Sequence, residues 1–287
     1  MNEQMIGTIL GGEYELTGWL SSGRYGAVYQ GQDSTAWEVT ASLLDYLASP
    51  TIKRLDDQFT GLMEKYGTLA HPGLQLPYDA GVHEGTPYLI RSYSDAHPIA
   101  GELRLAPLAM ERVIHIGREL CDLLALLHTV SPLHGALNRQ TVLLQPTRDF
   151  PQVQLTGFGP SPERLPPAGP DTAPDELIYL APEQWASAPL NAQTDLYGVG
   201  VLLYELATGQ PPYPAALLQQ TQAWQQPPPA LSDLNERVPE SLETLVNTLL
   251  AAAPADRPVS AAYVRDQLAQ IGQNDLLPPR QPPTPTI

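Results

Sequence analysis

The chain contains very little cysteine, very little lysine and no long apolar run among its 287 residues. Cys121 is the only cysteine, which excludes an internal disulfide and is typical of a reducing compartment, so we expect a cytoplasmic protein. No stretch of about 18 consecutive apolar residues occurs, and we therefore expect no membrane segment in this chain. The first residues also lack the basic and then apolar pattern of a signal peptide.

Positive charge is scarce as well. The 31 acidic residues outnumber the 15 basic ones and give a formal net charge of −16. Such a chain repels polyanions, so we expect no nucleic-acid partner. Only two of the basic residues are lysines, Lys53 and Lys65. Any site that needs an ammonium group must therefore draw on one of these two positions.

The hydrophobic pattern changes along the chain from strand-like to helical. Short apolar runs with glycine-containing turns predict a small sheet with one helix first, and broad apolar faces then predict a mostly helical remainder. The elements predicted beyond the first hairpins are a helix over 54–69, strands over 74–80 and 87–93, and helices over 194–208, 240–252 and 259–271. Five prolines after residue 275 predict an extended linker or tail.

Four sequence blocks follow one another in a characteristic order. Residues 20–29 read Leu-Ser-Ser-Gly-Arg-Tyr-Gly-Ala-Val-Tyr, 134–137 read His-Gly-Ala-Leu, 155–159 read Leu-Thr-Gly-Phe-Gly, and 181–183 read Ala-Pro-Glu. In this order and spacing they resemble the glycine-rich turn, catalytic loop, metal-binding loop and activation-segment end of bacterial-type (Hanks-type) Ser/Thr protein kinases. The resemblance covers about residues 10 to 272.

The resemblance implies an α+β, two-lobed protein kinase-like fold. It assigns residues 8–95 to a β-rich N-lobe with one main helix, 96–272 to a mostly α-helical C-lobe, and 273–287 to a proline-rich linker or tail. Some family positions are retained whose expected role is structural. His134 is expected to bridge a helix and the activation segment, and Phe158 to pack with Tyr66 and His134 in an apolar column that joins the lobes. The others are the buried ion pair of Glu183 with Arg257, and Asp195, which holds the catalytic-loop backbone.

The positions that carry chemistry in the family are occupied here by residues that cannot perform it. Ala136 stands at the catalytic base, so no titratable group remains there. Gly157 replaces the metal-binding aspartate, and Thr141 replaces the asparagine that also binds magnesium. Because magnesium prefers carboxylate and phosphate oxygens, we expect no metal site in this chain.

The phosphate-binding cations of the family are missing too. Ser42 stands where the third strand carries its lysine, and Leu62 aligns with the glutamate that would pair with it. Asn138 replaces the lysine that steadies the γ-phosphate. These losses argue against ordinary ATP binding and lead us to expect no cofactor.

A residual nucleotide cleft is the alternative. Its candidate residues are Gly23, Arg24, Gly26 and Val28 of the glycine-rich turn, together with Arg91 and Leu143. The turn by itself would equally suit a plain β-hairpin. Arg91 aligns beside the adenine pocket of the family. Its guanidinium either fills the pocket and pairs with an acidic residue such as Glu64, which we favour, or binds an anion.

The joint loss of base, metal ligands and phosphate lysine leads to the hypothesis of a catalytically inactive pseudokinase. Such a domain would act as a protein-interaction or allosteric signalling module, and its expected partner is a protein, for example an active kinase. Two alternatives stay open. One is a nucleotide-binding sensor without turnover, and the other is a Ser/Thr kinase with a relocated, atypical site that would depend on Arg24, Arg91 and Glu64.

Overall fold

The structure is a computed structural model, and it describes residues 4–23, 26–44, 61, 64, 66–69, 71–158, 173–220 and 223–275. Several positions named above lie outside the described residues: Arg24, Lys53, Leu62, Lys65 and the tail from 276 onward. Of the helix predicted over 54–69, Gly61, Glu64 and Tyr66 are described as helical. Within the described ranges, no helix is long and apolar enough to cross a bilayer.

The first part of the chain forms a six-stranded antiparallel sheet in the order β1-β2-β3-β4-β6-β5. Its strands are β1 (Ile9–Leu10), β2 (Tyr14–Gly23), β3 (Gly26–Gln32), β4 (Glu38–Leu43), β5 (Asp79–His83) and β6 (Thr86–Ser92). Buried side chains alternate with less buried ones along β3, as the two-residue period of a strand requires. One face of the sheet therefore builds a core around Leu16, Tyr29 and Val39.

The strand predicted over 74–80 begins later, at Asp79. The physical reason is Pro77, which has no N–H donor and cannot join a ladder of hydrogen bonds. Strands β5 and β6 are connected by Glu84 and Gly85, whose φ angles are +46° and +85°. Two positive φ angles in succession give the tight turn that matches the twist of a hairpin.

The rest of the chain is mostly helical. Its helices are α1 (Ala100–Leu103), α2 (Met110–Leu127), α3 (Pro174–Leu177), α4 (Pro182–Trp185), α5 (Ala192–Thr208), α6 (Ala215–Gln220), α7 (Leu231–Leu234), α8 (Glu240–Leu249) and α9 (Ala261–Asn274). A second sheet consists of β7 (His97–Pro98), β8 (Val142–Gln145) and β9 (Gln152–Leu155). The predicted architecture, with a β-rich first lobe and a helical second lobe, is confirmed.

Helix α5 is the centre of the helical lobe. Asn191 starts it by accepting a hydrogen bond from the backbone N–H of Gln193 at 3.0 Å, and Gly209 ends it in a left-handed conformation with φ of +78°. Every residue of α5 from Thr194 to Thr208 is buried. The helix is therefore enclosed on all sides, which explains why its sequence is apolar nearly throughout.

Cys121 lies on α2 inside the same core. Its side chain is inaccessible to solvent, and this burial raises the pKa of the thiol. Because the thiolate is the reactive form, the residue behaves as a small apolar side chain rather than as a nucleophile.

A buried ion pair ties α4 to the turn before α9. The guanidinium of Arg257 donates to both carboxylate oxygens of Glu183, at 2.7 and 2.8 Å. Its N–H groups also donate to the backbone carbonyls of Gln193, Ala251 and Ala252. Both charged side chains are almost completely inaccessible to solvent. Removing one partner would leave the other as an uncompensated buried charge.

We expect Arg257→Met and Glu183→Gln each to lower the free energy of unfolding by about 3–5 kcal/mol, because each strands its partner. The double variant should lose less than the sum of the two. Arg265→Met is the control, since Arg265 forms solvent-exposed ion pairs with Asp122 and Asp266, and its loss should change the stability far less. Urea unfolding at fixed pH measures the free energy of unfolding of these four variants and of the unchanged chain. Strict additivity of the two core substitutions would contradict the coupling.

Candidate functional site

A cavity of about 320 Å³ lies between the two lobes. It brings together most of the predicted site positions: Gly26, Val28, Ser42, Arg91, His134, Ala136, Asn138, Thr141, Leu143, Gly157 and Phe158 all line it. The wall on one side comes from β2, β3, β4 and β6, and the opposite wall comes from β8 and the loop over 134–141. The structure thus brings these positions together in one cavity, and the chemistry of the cavity depends on what each side chain does there.

The loop over 134–141 is held in place by Asp195, in the first turn of α5. One carboxylate oxygen of Asp195 accepts from the backbone N–H of His134 at 2.7 Å, and the other accepts from Gly135 at 2.8 Å. The imidazole of His128 approaches the first oxygen at 2.8 Å. The carboxylate is buried, so these contacts replace the water it would otherwise need.

The imidazole of His134 extends this support to the segment that follows β9, on the same wall of the cleft. Nε2 donates to the backbone carbonyl of Thr156 at 3.0 Å, and Nδ1 accepts from the N–H of Ala136 at 3.3 Å. This pair of bonds requires the neutral ring, with its single proton on Nε2. Burial lowers the pKa of His134 in agreement with a neutral ring, although the nearby carboxylate of Asp195 opposes the shift.

Asn138 and Thr141 direct their polar groups to the loop itself. The hydroxyl of Thr141 donates to the carbonyl of Ala136 at 2.8 Å and accepts from the N–H of Asn138 at 3.0 Å. The amide oxygen of Asn138 accepts from the N–H of Gln140 at 2.7 Å, and its nitrogen donates to Ala136 at 3.3 Å. Both residues are buried. At the positions where the family places a lysine and a metal ligand, this chain therefore has local structural hydrogen bonds.

Gly157 adopts a φ angle of +89°, in the region that favours glycine. A Cβ atom at this position would come within 2.7 Å of the Cγ2 methyl of Thr141. The two replacements are therefore matched to each other: the threonine methyl occupies the space that a side chain at 157 would need. The next residue, Phe158, packs its ring edge-on against Tyr66 at 5.5 Å and His134 at 5.0 Å between ring centroids.

Ser42 and Arg91 lie on neighbouring strands. Thr40 is opposite Arg91 in the β4–β6 register and Ser42 is opposite Leu89, so Ser42 and Arg91 are diagonal neighbours on one face. Nη1 of Arg91 donates to Oγ of Ser42 at 2.9 Å. Burial lowers the pKa of Arg91 to about 10. The expected pairing with Glu64 is corrected: Glu64 is exposed, and the register brings the guanidinium to a neutral hydroxyl instead.

The residues at the family's metal positions do not fit magnesium. Gly157 offers no side chain, and the hydroxyl of Thr141 is already engaged on both its donor and acceptor sides. The acidic residues that line the cavity are Asp95 and Glu176, from the segment after β6 and from α3. In the described part of the chain, no group of three or more His, Cys, Asp or Glu side chains could hold a metal ion.

Sequence reasoning missed Arg139. Its guanidinium pairs with Glu205 at 2.6 Å and with Asp175 at 3.1 Å, and the hydroxyl of Tyr179 donates to the same Glu205 carboxylate. These residues connect the loop over 134–141 to α3 and to the end of α5. The signal was present in the sequence, because Arg139 stands where the family motif has proline.

A family model described as "Protein kinase domain" matches residues 14–268. The chain belongs to the protein kinase family. It is 28% identical over 265 residues to the serine/threonine-protein kinase Pkn1 of Myxococcus xanthus, covering 90% of this chain and 38% of the relative. It is 30% identical over 267 residues to the DNA damage-responsive serine/threonine-protein kinase RqkA of Deinococcus radiodurans, covering 89% of this chain and 39% of the relative. The chain thus spans about two fifths of the length of these relatives.

Solved structures show the same fold. The PknI kinase domain of Mycobacterium tuberculosis superposes with a TM-score of 0.72 and 22% identity, covering 93% of this chain and 98% of that one. A second crystal structure of the same kinase domain gives a TM-score of 0.71 with 22% identity, and covers 92% and 98% of the two chains. At this level of identity, the similarity supports the two-lobed protein kinase fold.

The glycine at position 157 can be tested with a graded set of alanine substitutions. Gly101→Ala meets open space at an ordinary φ and should be nearly neutral, whereas Gly85→Ala carries the positive φ alone and should cost about 1 kcal/mol. Gly157→Ala adds the contact with Thr141 and should cost about 2–4 kcal/mol. Adding Thr141→Ser to the Gly157→Ala variant removes the threonine methyl and should recover the part of the lost stability that is due to the steric contact. Equal costs at 85 and 157 in chemical denaturation would contradict the steric argument.

The neutral state of His134 predicts a pH dependence of stability. Because its pKa is lower in the folded chain, its contribution is complete above the unfolded value of about 6.5 and is lost as the pH falls through the folded value. We expect His134→Gln to be less stable at neutral pH. Its free energy of unfolding should also fall less steeply on acidification, by up to about 1.4 kcal/mol per pH unit, because the titrating group is gone. Denaturation series between about pH 7 and pH 5 measure the difference.

Proposed function

We propose that this chain is a pseudokinase, a protein kinase domain that does not transfer phosphoryl groups. The observation that carries the proposal is the bonding within the loop over 134–141. Ala136 has no proton acceptor in its side chain, and the polar groups of Asn138 and Thr141 are bound to the loop backbone. A positioned base alone typically contributes about 10²–10⁴ in rate.

The metal positions support the same proposal. Phosphoryl transfer depends on divalent ions that bridge the phosphates and neutralise developing charge. Gly157 and Thr141 supply no carboxylate, and their mutual packing leaves no room for one at 157. Groups that act as a unit lose their effect together, so one restored residue would not restore activity.

A domain of this kind would act through its surface. The buried ion pair of Arg257 with Glu183 and the network around Asp195 preserve the shape of the helical lobe without any catalytic demand. We propose that this shape is recognised by a protein partner, such as an active kinase or another signalling protein. The domain would then regulate by contact or by allostery.

A second candidate function is a sensor that binds a nucleotide without turnover. The observation that favours it is the cavity itself, which remains open at about 320 Å³ and keeps Val28 and Leu143 on its walls. The third possibility, a kinase with a relocated site, would need carboxylates and cations of the cleft to work in new roles. Of its proposed members, Glu64 is exposed and Arg91 is bonded to Ser42.

The deciding experiment is a phosphoryl-transfer assay with labelled ATP and either magnesium or manganese. The purified chain is incubated alone and with general protein substrates, and a bacterial Ser/Thr kinase domain of demonstrated activity serves as the positive control. We expect no incorporation into either the chain or the substrates. We also expect that magnesium adds nothing to any thermal stabilisation by ATP.

Suppose that labelled phosphate is incorporated, that the activity copurifies with the folded chain, and that it disappears in Arg91→Met. This result would overturn the pseudokinase proposal in favour of a relocated site. ATP stabilisation of equal size in magnesium and in EDTA, without incorporation, would identify the sensor. The absence of any ATP effect would identify a module without nucleotide.

A further inference from the structure

Among the described residues, the guanidinium of Arg91 has no carboxylate partner in the cleft. None of the ion pairs that these residues form involves it. Burial is the sole cause of the lowered pKa of Arg91, whereas a neighbouring carboxylate would have opposed the shift. The residue remains partly exposed, and the space that it reaches is the cavity between the lobes.

The hydrogen-bonding groups around Arg91 favour a negative ligand. A guanidinium has five N–H donors, and one of them is directed to Oγ of Ser42. That hydroxyl accepts the bond, so its own hydrogen remains a donor. Thr40, opposite Arg91 in the strand register, adds a second hydroxyl to the cavity wall. A cation flanked by hydroxyl groups matches the geometry of a phosphate or carboxylate group.

The energetic cost of an uncompensated charge at Arg91 also favours an anionic ligand. A charge taken out of water is costly unless an opposite charge accompanies it, and a neutral serine only partly meets this need. The cavity is open to the surrounding solution, so the compensating charge can come from a ligand. Asp95 and Glu176 also line the cavity, which confines the preference for anions to the end between β4 and β6.

We propose that the cleft binds a small anionic ligand through a phosphate or carboxylate group held by Arg91 and Ser42, without a divalent metal. The cavity volume of about 320 Å³ lies at the lower end of small-molecule sites, so the ligand is of metabolite size. The inference rests on the proposed function, because it takes the metal-free cleft as given. It names the chemistry that the cleft recognises.

The test uses the whole chain in a phosphate-free buffer from which divalent metals have been removed with a chelating resin. Thermal stability and calorimetric binding are measured with inorganic phosphate, ADP and citrate, which separate a free phosphate, a nucleotide and a carboxylate as sources of the anion. We expect at least one of them to bind. Arg91→Met should weaken that binding at least about tenfold, and Arg91→Lys should keep part of it.

The matched control is Arg265→Met, which changes the net charge equally at an exposed position of α9. It should bind as the unchanged chain does. Ser42→Ala provides a second site variant that keeps the cation, with a smaller expected loss. Without ligand, Arg91→Met should melt at the same or a higher temperature, because it removes a partly buried charge that has no opposite charge beside it.

The inference is overturned if none of the anions binds the unchanged chain. It is also overturned if Arg91→Met and Arg265→Met bind equally, since the effect would then be general screening. Either outcome leaves the pseudokinase proposal intact, because that depends on phosphoryl transfer in the presence of metal. Transfer of phosphate from ATP would overturn the pseudokinase proposal instead, whatever the result of the anion-binding measurement.

Discussion

The carboxylate of Asp195 is the contact on which the cleft depends. Asp195 lies in the first turn of α5, and its two carboxylate oxygens hold the backbone N–H groups of His134 and Gly135. The imidazole of His134 then bonds to the backbone carbonyl of Thr156 and so ties the loop to the segment that follows β9. Because the carboxylate is buried, its bonds cannot be exchanged for water without a large cost. The cleft therefore keeps its shape whether or not it performs chemistry.

The replaced positions illustrate how chemistry can be removed without loss of structure. Asn138 and Thr141 are polar, yet their hydrogen bonds are directed along the loop rather than toward the space above it. The methyl of Thr141 and the missing side chain of Gly157 fit one another. Such mutual adjustment stabilises the altered loop. It also means that the substitutions must be understood as a set, since each one fixes the surroundings of the next.

Much of the fold could be predicted from the sequence, because its signals are local. The apolar pattern of α5, its Asn191 cap and its Gly209 end lie within one stretch of chain. The motif blocks that line the cavity are likewise continuous stretches of sequence. The partner of Arg91 could not be predicted, because it depends on the register between β4 and β6, which are far apart in sequence. The partners of Arg139 could not be predicted either, because Asp175 and Glu205 come from separate segments of the chain. Strand β5 begins at Asp79 rather than at residue 74 because Pro77 cannot donate a hydrogen bond, and the hydrophobic periodicity used to predict strands does not show this limit.

The enclosed position of Cys121 has a practical consequence. The chain carries a single sulfhydryl, and it is enclosed in the core of the helical lobe beside α5. A sulfhydryl reagent added to the native protein can react only when α2 separates from its neighbours. The rate of labelling at this one atom would therefore record how often the lobe opens, and a bound partner or ligand that tightens the lobe would slow that rate.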